Sequence, residues 1–286
     1  HISLLYLLSA VFIGLNCYLI YRDIYYLLLF PVFLVILYLY FYSLDKILLL
    51  ITLVTPLAIN FRQFEFNVGI SLPSEPLMLG VLMLFIVKLF FSDPPDRKVW
   101  RHPITVVIGI QLFWMLITSI TSDLPVVSFK QLIARLWFVV PFYILGITLF
   151  KKRSNIPVFI WCYTLTFLIV IGYTTIHHAS FGFSEEAGHW VMEPFYNDHT
   201  IYGAIIALFI PMFAGFVLIK EYSHTHRFFS FIVLVILLVA LVLSFSRAAW
   251  ISLGVVLGVF FLVIFRIKFR WIAVATVLMG TIFYIF

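Results

Sequence analysis

Residues 228–265 read FFSFIVLVILLVALVLSFSRAAWISLGVVLGVFFLVIF. Two apolar runs, 228–245 and 248–265, flank Ser246-Arg247. At about 1.5 Å of helical rise per residue, each run approaches the roughly 30 Å of bilayer hydrocarbon. The pattern predicts two membrane helices joined by a tight turn, with a guanidinium at the membrane lip. A charge near hydrocarbon is costly, roughly 2.5–3.5 kcal/mol at a helix centre and less near the interface. Such an arginine either binds an anion or snorkels to lipid headgroups.

The rest of the chain agrees with this reading. It is 64% hydrophobic and only 10% charged, more apolar surface than a soluble domain of 286 residues can hide. The apolar segments are helix-length, which excludes a barrel. The expected fold class is all-α, a polytopic transmembrane helical bundle forming a single domain over 1–286. Candidate spans are 2–20, 24–43, 46–61, 74–91, 104–122, 131–150, 156–176, 200–219, 228–245, 248–265 and 271–286. Cys17 and Cys162 fall inside apolar runs and imply no disulfide framework. No cleavable signal sequence is expected. The chain opens at His1 and stops at Phe286 inside an apolar run, as expected of a fragment.

Lysine and arginine placement orients the spans. Thirteen of the 18 basic residues, including Lys46, Arg97, Lys98, Lys151, Lys152, Arg153 and Arg227, fall in alternate connections. That side is read as cytoplasmic, with the N-terminus inside and 177–199 an external loop. Arg22, Arg62, Lys130, Arg135 and Arg247 lie on the other side, against the rule. Asp23 and Glu65 are expected to pair with Arg22 and Arg62. Lys130, Arg135 and Arg247 need another reason.

Three external elements are expected to converge: Lys130 with Arg135, the segment Pro194–Gly203, and Ser244–Arg247. Helix N-termini carry free N–H groups and a positive dipole end, which suits phosphate. Asn197 or Asp198 suits the N-cap of the helix that follows. His199, in its first turn, is a candidate proton acceptor. Planar guanidinium forks bind pyrophosphate oxygens in pairs and stay charged at any pH. The bland alternatives are capping for Asn197-Asp198 and an interfacial histidine for His199. His177, His178 and His189 lack metal-ligand spacing. Gly254 and Gly258 predict close helix packing. No metal or other cofactor is expected, and no nucleic-acid partner.

Ser244-Phe245-Ser246-Arg247, followed by an apolar helix with Gly254, resembles the signature of the O-antigen ligase and O-antigen polymerase superfamily. Phe195-Tyr196-Asn197-Asp198-His199-Thr200-Ile201-Tyr202-Gly203-Ala204 is similar to its companion motif. The resemblance covers about 180–270; the earlier spans agree only in being hydrophobic. It implies a metal-independent glycosyltransferase in the bacterial cytoplasmic membrane. Such enzymes move a glycan from an undecaprenyl pyrophosphate carrier to lipid A core, another glycan or a protein. Arg247 matches the pyrophosphate-binding arginine of the motif, with Arg135 as a second. Lys130, Ser246, Asn197, Asp198 and Tyr202 complete the expected substrate-binding set, with His199 as the catalytic candidate. The family also carries a large periplasmic loop with a histidine proposed as general base, which would lie beyond Phe286. A transporter or flippase of lipid-linked sugars is the rival reading, hinted at by Pro56, Pro141 and Pro211.

Overall fold

In lipid every backbone polar group must be satisfied inside its own segment, so the apolar runs fold as helices. A computed structural model of the chain describes residues 2–23, 25, 27, 30–61, 70–91, 97–264 and 266. Among the described residues the protein is all-α apart from one short ribbon. Among the described residues, five helices are long and apolar enough to cross a membrane: Pro103–Ile120, Pro125–Phe150, Asn155–Ser180, His199–Leu218 and His224–Leu243. Shorter apolar helices occupy Ser9–Tyr21, Phe30–Tyr42, Lys46–Leu57 and Arg247–Phe260. The expected span 271–286 and the expected Arg62–Glu65 pair lie outside the described residues.

The chain divides into two compact units, His1–Thr166 and Phe167–Phe286. In the first unit, α1 (Ile2–Tyr21), α2 (Phe30–Tyr42) and α3 (Leu44–Val54) lead into a 3-10 turn, Thr55–Leu57. Pro56 lacks an amide donor, which ends the helix there and shortens the expected span 46–61. Strands β1 (Ile59–Phe61) and β2 (Ile70–Leu72) then pair antiparallel, with Ile59 opposite Leu72 and Phe61 opposite Ile70. This ribbon was not expected from the polar connection. Helices α4 (Ser74–Phe91), α5 (Arg97–Trp100), α6 (Pro103–Ile120) and α7 (Pro125–Val139) follow. A π-helical segment at Val140–Leu145 carries α7 into α8 (Gly146–Phe150).

The core of this unit joins Ile47 and Ile51 of α3, Leu77, Val81 and Leu82 of α4, and Val140. Tyr40 of α2 donates to the Leu77 carbonyl at 2.5 Å, with Gly80 directly beneath its ring. Arg22 lies over the Tyr18 ring, 5.9 Å from its centroid, while Asp23 accepts from Tyr25. The expected Arg22–Asp23 ion pair is therefore absent.

The boundary between the units falls inside α9 (Asn155–Ser180). In the second unit, loop 181–198 precedes α10 (His199–Leu218), α11 (His224–Leu243) and α12 (Arg247–Ile264). Its centre is Phe167, Tyr202, Ile206, Phe213 and Leu237, all fully buried or nearly so. Gly254 and Gly258 have nothing within 4 Å of where a Cβ would stand, so they are not the close-packing pair that their spacing predicts. Gly203 takes that role: its Cβ would meet Ser246 Cβ at 2.9 Å and Ala249 Cβ at 3.0 Å.

Candidate functional site

Ser244, Ser246 and Trp250 shape the turn from α11 to α12. The Ser244 hydroxyl donates to the Leu241 carbonyl at 2.7 Å and accepts from the Ser246 amide at 3.4 Å. The Ser246 hydroxyl accepts from the Ala249 amide at 3.4 Å, capping α12. Trp250 Nε1 donates to the Leu241 carbonyl at 2.9 Å, pinning the new helix to the old one. Phe245 between the serines is left-handed, at φ 48°. Both serines are buried, so Ser246 serves the turn and presents no hydroxyl to a substrate. Arg247 is the first residue of α12, exposed, with no side-chain hydrogen bond or ion pair among the described residues.

Loop 181–198 is folded over this turn. His178, buried, contacts the Ser184 carbonyl through Nε2 at 2.9 Å and packs edge-on against Phe183 and Phe245. His177 Nδ1 lies 3.2 Å from the Val191 carbonyl. Gly188 sits against the Phe245 ring, where a Cβ would meet Cδ2 at 2.7 Å. The histidine pair that ends α9 thus anchors the loop. Among the described residues no group of three or more His, Cys, Asp or Glu side chains is placed to hold a metal ion.

Asp198 is the N-cap of α10, accepting from the Thr200 amide at 3.0 Å. That amide holds the Asp198 carboxyl below the usual carboxylate range; burial opposes it, and the Thr200 hydroxyl and then His199 add to the lowering. His199 Nδ1 lies 2.9 Å from Asp198 Oδ1. The His199 ring also meets His189 of the loop, nitrogen to nitrogen at 3.2 Å. His189 Nδ1 is equidistant from both nitrogens, so the edge of its ring rests on the face of the His199 ring, and Asp198, His199 and His189 form a cluster. Asn197 is exposed beside it. Tyr202 is buried among Phe167 and Tyr196, a core residue and not a surface ligand.

Two of the three expected elements therefore meet at one end of the second unit: the start of α10 and the Ser244–Arg247 turn. Below that end, Leu168, Ile171 and Ile176 of α9 and Val235, Val239 and Ala240 of α11 line an apolar groove of about 430 Å³.

The third element, Lys130 with Arg135, belongs to the first unit. Five residues apart on α7, they point about 140° from each other around the helix axis and share no face. Helix α7 begins at Pro125, so Arg135 is ten residues in, about 15 Å along the axis. Arg135 is exposed and lines a cavity of about 580 Å³ with Glu75 and Met78 of α4, Gln111 and Met115 of α6, and Gln131, Trp137 and Phe138 of α7. A carboxylate therefore shares the cavity with Arg135. Neither His189 nor Glu75 figured as a site residue in the sequence. Glu75 carried a usable signal, a carboxylate in the first turn of an apolar helix. His189 carried none, because loop folding alone brings it to His199.

No family model matches the chain, and neither a curated protein nor a solved structure does.

Proposed function

We propose that the protein is a membrane glycosyltransferase that takes a glycan from a lipid-linked pyrophosphate at the outer face of a bacterial cytoplasmic membrane. In this reading the four shorter apolar helices, α4 and the apolar run 271–286 also cross, giving the eleven spans of the sequence with the N-terminus inside. The supporting observation is the convergence, at one end of the second unit, of exposed Arg247, two helix N-termini and the Asp198–His199–His189 cluster.

The chemistry follows from that arrangement. An acceptor hydroxyl attacks the anomeric carbon while its proton passes to an imidazole. The bond to the carrier oxygen breaks, and negative charge grows on the pyrophosphate. Arg247 and the helix N-terminus around it stabilise that charge, and cationic and dipolar groups fixed in advance are effective where charge develops. The apolar groove between α9 and α11 suits the isoprenoid tail.

The test replaces Arg247 by Ala and by Lys in the full-length protein and measures surface glycan in cells lacking the native copy. The Ala variant is expected to lose about 100-fold or more of transfer, and the Lys variant to recover part, since an ammonium keeps charge but not the planar fork. Normal glycan assembly in the Ala variant would remove Arg247 from the mechanism.

One observation favours the transport reading: the first unit has helix irregularities at Pro56 and Pro141, as transporters use at substrate sites. Lipid-linked sugar crossing liposomes without any product glycan would select it.

A further inference from the structure

The cavity between α4, α6 and α7 of the first unit has chemistry that pyrophosphate binding at Arg247 does not use. A carboxylate (Glu75), a guanidinium (Arg135) and two carboxamides (Gln111 and Gln131) surround about 580 Å³, with Trp137 beside them. Two facts mark a site built for a polar ligand. Glu75 and Arg135 share the cavity without forming an ion pair, although opposite charges at low dielectric attract strongly. And Glu75 Oε2 has no hydrogen-bond partner and is shut away from solvent, so a donor in the cavity meets it once the carboxylate turns. A buried acceptor in that state is costly until a donor reaches it.

The ligand must donate to the carboxylate, accept from the guanidinium, and do both with the amides. Hydroxyl groups meet every demand, each offering one donor and two acceptor lone pairs. An ammonium–phosphate headgroup can meet the same groups, its phosphate accepting from the amides, so phosphatidylethanolamine is the rival the test must separate. The indole of Trp137 offers a flat apolar surface for the C–H face of a sugar ring. The volume falls within the roughly 300–1,000 Å³ of small-molecule pockets.

We infer that this cavity is a sugar-binding subsite, in which a pyranose of a membrane-tethered glycan bridges Glu75, Gln111, Gln131 and Arg135 through its hydroxyls. It rests on the glycan-transfer reading only for the source of the sugar.

The test uses the full chain in lipid nanodiscs and octyl glucoside or octyl N-acetylglucosaminide carrying a diazirine beside the glycosidic oxygen. Octanol and phosphatidylethanolamine with the same photogroup are the controls. Peptides spanning Gln131–Phe138 are expected to be labelled by the sugar probes about tenfold more than by octanol, and E75Q and Q131A are each expected to remove about tenfold of that labelling. R247A should leave it unchanged. Equal labelling by octanol or phosphatidylethanolamine, or full sugar labelling in both E75Q and Q131A, overturns the subsite. Gln131 is exposed, so Q131A carries the test if E75Q does not fold. Undecaprenyl pyrophosphate binding by R247A is measured alongside. If that binding survives while the sugar labelling is also intact, only the pyrophosphate reading fails.

Discussion

His189 Nδ1 stands 3.2 Å from the imidazole nitrogens of His199, with ring centroids 4.2 Å apart and planes at 84°. Ten residues separate them in sequence, and only the fold of loop 181–198 brings them together. Asp198 Oδ1 lies 2.9 Å from Nδ1 of the same His199 ring, so the cluster can take up a proton at His199 or simply fasten the loop to α10. The two roles predict different outcomes.

If His199 takes up the proton, His199→Ala should lower glycan transfer by about 100-fold or more, and His189→Ala by about tenfold, because His199 alone touches the carboxylate. Transfer is read as surface glycan in complemented cells, with hydrogen exchange of 184–192 alongside. Equal losses in both variants with a loosened loop would make the contact a fastening only.

Asp198→Ala removes an N-cap and should cost about 1 kcal/mol, whereas Asp198→Asn keeps most of it, since asparagine caps nearly as well. The folded carboxyl titrates below its unfolded value, so its contribution is complete above the unfolded value and fades as pH falls through the folded one. The stability gap between wild type and Asp198→Asn should shrink as pH falls below about 4. Denaturant titration in detergent checks this; a gap that widens below about pH 4 would contradict the sign.

Gly203→Ala should destabilise by about 1–3 kcal/mol, because the new methyl would strike Ser246 and Ala249 across the α10–α12 contact. Gly254→Ala meets open space and should be neutral or stabilising by about 0.5–1 kcal/mol through helix propensity. Thermal unfolding of the two variants separates close packing from spacing; the opposite ranking would refute the assignment.

Gly80→Ala places a methyl 2.5 Å from Tyr40 Oη and 2.7 Å from Cζ, so the ring must move and its bond to Leu77 must break. In a Tyr40→Leu background the same substitution finds room. The two costs should therefore fall short of additive by about 0.5–3 kcal/mol in a double-mutant cycle. Strict additivity would mean that the ring does not rest on Gly80.

Much of this architecture could be read from residue order. The helices of the second half stand within a few residues of where apolar length predicts them, and Asp198 caps α10 as its residue type suggests. Pro56 is the clearest limit: an apolar count runs straight through it, while the missing amide ends the helix and a strand follows.

Sequence alone determined that the chain is a helical membrane protein, because hydrophobicity is a sum over residues and lipid admits few ways to satisfy a backbone. It also pointed to Arg247, since a lone charge beside apolar runs is visible without coordinates. Only tertiary structure decided that Ser246 and Tyr202 are buried, that Gly203 and not Gly254 is packed against a neighbour, and that Glu75 faces the cavity of Arg135. The reason is physical: burial and partnership are properties of pairs, set by which helix faces meet, and residues distant in sequence carry no local mark of that meeting.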